Sequence, residues 1–119
     1  MNAMLKLIAL SVVALQLAAP QLAQAETPEA RLAAGQALAF DRNAGNCLSC
    51  HLIVGGELPG NIGPPLVQMK LRFPDRAVLR DQIWDAGVRN PNTVMPPYGR
   101  HGVLTEDEID LVVDFIHAL

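Results

Sequence analysis

Aromatic side chains are scarce in this chain: three Phe, one Trp and one Tyr make up 4% of its 119 residues. Half of the residues are nevertheless hydrophobic. Something other than aromatic rings is therefore expected to fill the middle. Cysteine is scarcer still, with two in all. A structural zinc site needs four ligands, and a second Cys or His pair at zinc-site spacing is missing. An excess of positive charge is absent too. The net charge is −3, which excludes a nucleic-acid binder working through bulk charge. The apolar content excludes a low-complexity disordered chain. There is only one long apolar run, there are no internal repeats, and no segment alternates convincingly as a strand.

The single apolar run lies at the N-terminus. Lys6 supplies a positive start, and Leu7 to Ala19 is broken only by Ser11 and Gln16. Ala23-Gln24-Ala25 then places small residues where a signal peptidase reads them. The pattern predicts a cleaved secretory signal over residues 1–25, with the cut before Glu26. An uncleaved anchor is the competing reading, but the run falls short of the ~20 residues of a comfortable span. Removal leaves 94 residues and a charge of −4. At that length a hydrophobic core alone is marginal. Residues 26–119 are expected to form one domain, exported to the periplasm in a bacterium.

Helix signals recur along this domain. Thr27-Pro28-Glu29 reads as an N-cap, a proline at the first helical position and an acid in the first turn. That helix is expected to reach Phe40. Gly35 within it costs ~1 kcal/mol against Ala, and close approach of another helix would explain it. Gly55 to Pro65 holds four Gly and three Pro and reads as loop. Leu66 to Phe73 suggests a short helix closed by Pro74. Asp75 can cap a helix over Arg76–Ala86, with Gly87 as its C′ residue. Val88 to Gly102 reads as loop. Thr105 and Glu108 form a capping box, followed by Ile109, Val112, Val113 and Ile116 on one face. The fold class is all-α, about four helices around long loops. Lys70, Arg72, Arg76 and Arg80 form a basic middle. Glu106, Asp107, Glu108, Asp110 and Asp114 crowd the last helix. Both read as solvated faces, which could also orient a partner.

Cys47-Leu48-Ser49-Cys50-His51 carries the chemistry. A disulfide is one reading for an exported chain. A thioredoxin-like pair would want a βαβ context. The third reading is attachment of a c-type haem, in which both thiols add to the vinyl groups and His51 turns its imidazole to the iron. This reading also supplies the missing core bulk, as a large apolar plate. For the far face of the iron the candidates are Met95 and Met69, then His101 and His117. Met95 lies in Thr93-Val94-Met95-Pro96-Pro97, a loop stiffened by two prolines. Met69 lies on an apolar helix, where a Met is more often a gap-filler. Met95 is therefore favoured, and a His/His site stays open. Gly63-Pro64-Pro65-Leu66 is either a plain turn before a helix or the source of a carbonyl for the other ring N–H of His51.

Taken together, C-x-x-C-H, then Gly-Pro-x-Leu, then Met-Pro and an amphipathic last helix resemble class I cytochrome c across residues 26–119. The finer resemblance is to the SoxX family, monohaem subunits of the SoxAX cytochromes of thiosulfate oxidation. It is carried by Ala39-Phe40-Asp41-Arg42, Gly60-Asn61-Ile62-Gly63-Pro64-Pro65-Leu66, Asn92-Thr93-Val94-Met95-Pro96-Pro97-Tyr98-Gly99 and Leu104-Thr105. The resemblance implies one covalent haem c on Cys47 and Cys50, with His51 and Met95 as axial ligands. It also implies a Pro64 carbonyl on His51, Leu66 packed on the haem, and crossed terminal helices. It further implies a SoxA-like cytochrome partner, the carrier SoxY reached through that complex, and a downstream c-type cytochrome as electron acceptor. Both cysteines would be consumed by haem. The chain then reads as the electron-transfer subunit of an L-cysteine S-thiosulfotransferase, not catalytic alone. A free monohaem shuttle for another oxidoreductase is the alternative.

Overall fold

The computed structural model describes residues 27–119, so the signal expected over residues 1–25 lies outside the described residues. Thr27 caps the first helix, α1 (Pro28–Phe40), its hydroxyl accepting from the Ala30 N–H at 3.1 Å. The chain leaves α1 at Asp41, whose N–H closes on the Ala37 carbonyl. Three more helices follow: α2 (Met69–Arg72), α3 (Arg76–Trp84) and α4 (Glu106–His117). Single 3-10 turns lie at Cys47–Ser49 and Ala86–Val88. No strand occurs among the described residues, and the all-α expectation holds.

The α1–α4 crossing is the centre of the frame. Gly35 is buried there, and a Cβ on it would run into the Leu111 carbonyl group and the Phe115 side chain. A side chain at this position would hold the helices apart, which accounts for a glycine in mid-helix despite its entropic cost. Phe40 meets Phe115 edge to face, with centroids 5.8 Å apart at 85°, a favoured aromatic geometry. On α4 the capping box is complete, with the Thr105 hydroxyl accepting from Glu108 N–H and the Glu108 carboxylate accepting from Thr105 N–H. Behind it Ile109, Val112, Val113, Phe115 and Ile116 are all buried.

Two helices are shorter than their sequence suggests. The stretch from Leu66 winds only from Met69. The Leu66 N–H is drawn instead to the Leu52 carbonyl at 2.9 Å, and Gln68 enters the turn with φ +51°. Similarly, α3 stops at Trp84 rather than Ala86. Asp85 swings to extended backbone, and its carboxylate accepts from Gly87 N–H at 3.0 Å. Gly87 is thus part of a 3-10 turn and not a left-handed C′ residue.

The charged faces are not simply solvated. Arg31 of α1 and Arg76 of α3 both grip Asp114, with shortest N–O distances of 2.6 Å. Arg76 and Arg80 reach Asp110, and Arg80 reaches Glu106. The half-exposed network ties α1 and α3 to α4. Burial alone would raise the Asp114 pKa. The hydrogen bonds from Arg31 and Arg76 outweigh that and hold it below the ordinary range.

Candidate functional site

Asn46, at φ +48° and ψ +36°, turns the chain into the 3-10 turn Cys47–Ser49. The Cys50 and His51 N–H groups both fold back on the Cys47 carbonyl, at 3.2 and 2.9 Å. Cys47, Cys50 and His51 therefore share one wound turn. Burial pushes the Cys47 thiol up to about 11.

The Gly- and Pro-rich loop is spliced to this turn. Gly60 N–H donates to Leu48, Gly63 N–H to Cys50 and Leu66 N–H to Leu52, at 2.7, 2.8 and 2.9 Å. The splice brings the Pro64 carbonyl to 2.7 Å from His51 Nδ1. A carbonyl only accepts, so Nδ1 carries a proton, and in the neutral ring the lone pair falls to Nε2. Gly63 lies flat against the imidazole, where a Cβ would strike the ring. Arg72 adds a bond to the Pro65 carbonyl at 2.8 Å, steadying the same turn.

A cavity of about 410 Å³ opens beside this turn. Cys47, His51, Pro64, Leu66 and Met95 all border it, together with core residues Leu79, Ile83, Leu104, Val112 and Ile116. Cys50 is half-buried and does not border it. Met95 is half-buried, its N–H bonded to the Thr93 hydroxyl at 3.1 Å. Met69 also borders the cavity, but is 1% exposed, and its sulfur accepts from Arg72 at 3.5 Å. His101 lies in an exposed turn, and His117 Nε2 is 2.9 Å from the Phe73 carbonyl. Neither His101 nor His117 borders the cavity.

Sequence reasoning missed two residues here. Tyr98 borders the cavity, and its hydroxyl donates to the Gly45 carbonyl at 2.5 Å. Burial pushes its phenol up to about 12, so it remains a donor near neutral pH. The only available signal was its place as the single tyrosine, directly after Met95-Pro96-Pro97. Arg72 was read only as part of a basic face, although it bonds Pro65 and Met69.

These walls suit an apolar cofactor. The volume falls in the range of ligand pockets, mostly apolar with a few convergent polar groups. Among the residues bordering it, His51, Met69, Met95 and Cys47 carry an imidazole, two thioethers and a thiol. A family model described as "Cytochrome C oxidase, cbb3-type, subunit III" matches residues 30–116. No curated protein matches the chain. The chain belongs to this family of class I c-type cytochrome domains, whose members carry haem c covalently and transfer electrons. Such domains typically work in the periplasm or outside the cell. No helix among the described residues is long and apolar enough to cross a membrane.

Proposed function

We propose that this cytochrome binds a single haem c through thioethers to Cys47 and Cys50, with His51 and Met95 on its iron. The observation that carries this reading is the 2.7 Å approach of His51 Nδ1 to the Pro64 carbonyl, at the edge of the cavity that Met95 also borders. When bound, haem supplies a one-electron couple at its iron, and a His/Met pair raises the potential relative to two His. The chain's own residues do the rest. Pro64 selects the His51 tautomer and orients the ring, as carbonyls do for metal-bound imidazoles generally. Leu66, Ile83, Val112 and Ile116 keep water from the cavity. Gly63 lets the proline turn close on the ring.

The finer reading is a SoxX-like role in the periplasm. A SoxA-like partner would conjugate thiosulfate oxidatively to a SoxY cysteine, releasing two electrons. This chain would accept those electrons one at a time, as its one-electron couple requires, and pass each to a downstream cytochrome. Support comes from the matching segments around Phe40, Gly63 and Met95, and from the absence of any third cysteine.

Attachment is tested by acid-acetone extraction of the purified protein. The haem should stay with the polypeptide; its release, or a Cys47–Cys50 disulfide, would reject the assignment. Met95→Ala should abolish the weak red-edge sulfur-to-iron absorption band of the oxidised protein and lower its potential. The role is tested by thiosulfate-dependent SoxY conjugation with this chain alone, a SoxA-like protein alone, and both together. Conjugation by this chain alone would overturn the division of labour. Failure to bind any SoxA-like protein would favour the free shuttle.

A further inference from the structure

The segment around Met95 is held unequally. Before Met95 it is held only by local bonds: Asn90, Asn92 and Val94 are exposed, Asn90 N–H reaches back to Ala86, Asn92 and Thr93 N–H groups bond Asn90, and Met95 N–H bonds Thr93. After Met95 it is pinned. Gly99 and Arg100 N–H groups donate to the Trp84 carbonyl at 3.1 and 3.4 Å. The Arg100 Nε donates to Asp85 at 2.6 Å. Tyr98 stands between these halves, 8% exposed, with its hydroxyl on the Gly45 carbonyl two residues before Cys47. Among the described residues this is the one hydrogen bond joining residues 90–104 to residues 41–51.

We infer that the Tyr98 hydroxyl is a positioning group: it latches the Met95 segment to the loop that carries Cys47, and so sets how readily Met95 leaves the cavity. The inference rests on the reading of Met95 as an iron ligand. Gly45 cannot follow a departing Tyr98. It is buried, its N–H is held by the Leu38 carbonyl at 3.0 Å, and it backs onto the α1 backbone. When the Met95 segment lifts, water can reach both the hydroxyl and the carbonyl. Without the hydroxyl, the closed state leaves the Gly45 carbonyl buried and unbonded. An orphaned buried acceptor costs enough to shift an equilibrium about tenfold. The latch therefore favours the closed segment without touching the iron.

The test uses the haem-loaded protein and imidazole, which must displace Met95 to bind the oxidised iron. Tyr98→Phe keeps the ring and removes only the hydroxyl. It should retain the sulfur-to-iron band but bind imidazole about tenfold more tightly. Val113→Ala, a core truncation at a residue that does not border the cavity, should lower the melting temperature yet leave imidazole affinity unchanged. A Tyr98→Phe affinity within about twofold of the parent, on the same tenfold scale, would overturn the latch. So would an equal gain in Val113→Ala, since general destabilisation would then explain it. Met95→Ala separates the two levels. If that variant keeps the band, the Met95 reading fails and the latch fails with it. If it loses the band while Tyr98→Phe binds imidazole normally, the latch alone fails. A second measurement needs no variant, because Tyr98 is the single tyrosine. In the reduced protein labelled at tyrosine Cζ, carbon monoxide should move that one resonance toward its value for a solvated phenol. A resonance that stays at its starting position would overturn the latch.

Discussion

The α1–α4 crossing and the Met95 segment are built on different principles. The crossing is apolar and closely packed, with Gly35, Ile109, Val113 and Ile116 each at most a few per cent exposed or buried. Its position depends on many weak contacts that no single substitution erases. The Met95 segment has no helix between residues 89 and 105, and depends on a few identifiable hydrogen bonds to Trp84, Asp85 and Gly45. The frame therefore sets stability, whereas the segment sets the character of the site. Damage to one should be readable separately from damage to the other.

Core truncation should give the largest effect. Ile109 is fully buried on α4, and Ile109→Ala should cost ~2–5 kcal/mol in denaturant unfolding. The oxidised spectrum of the surviving folded protein should be unchanged. Met69→Ala should behave likewise, with a loss of ~2–5 kcal/mol and the sulfur-to-iron band intact. Loss of that band in Met69→Ala, with its retention in Met95→Ala, would exchange the two methionines between frame and site.

Overpacking the crossing comes next. Gly35→Ala puts a Cβ against the Leu111 backbone, which cannot rotate away. A loss of ~1–3 kcal/mol is expected. An unfolding midpoint equal to the parent's would mean that the helices separate at little cost. Removing the capping box should matter less. Thr105→Ala should lower stability by ~1 kcal/mol, measured at neutral pH.

The smallest effect concerns pH. Asp114 has a depressed pKa in the folded state, so its contribution is present above the unfolded value of about 3.9. It is lost as pH falls through the folded value, which lies lower. The urea midpoint of the parent should therefore drop below about pH 4, and Asp114→Asn should flatten part of that drop. An identical acid profile in the variant would show that the Arg31 and Arg76 pairs add nothing to the frame.

The legible parts of the chain were those in which the deciding contact is local. Thr27 and Thr105 each meet an N–H three residues on, so their caps followed from spacing alone. The face of α4 followed from its 3.6-residue period, and the wound Cys47–His51 turn from five adjacent residues. A mid-helix glycine pointed to a close neighbour, though not to Leu111. Where contacts span long separations, the local rules failed. Leu66 was drawn out of a helix by Leu52, and α3 was cut short by Asp85 and by a partner segment fifteen residues on. Arg76 and Arg80 looked like a solvated face because their partners Asp114 and Asp110 lie 38 and 30 residues away.

By itself the sequence determined the helical periods, the caps, the paired thiols with their adjacent imidazole, and the methionine among prolines. Each is a matter of covalent spacing or of a hydrogen bond closed within a turn. Tertiary structure alone decided that the Pro64 carbonyl meets His51, that Met95 and Cys47 border one cavity, and that Tyr98 reaches Gly45 across 53 positions. Such meetings depend on loop closure, whose entropic cost is recovered only when the whole core assembles.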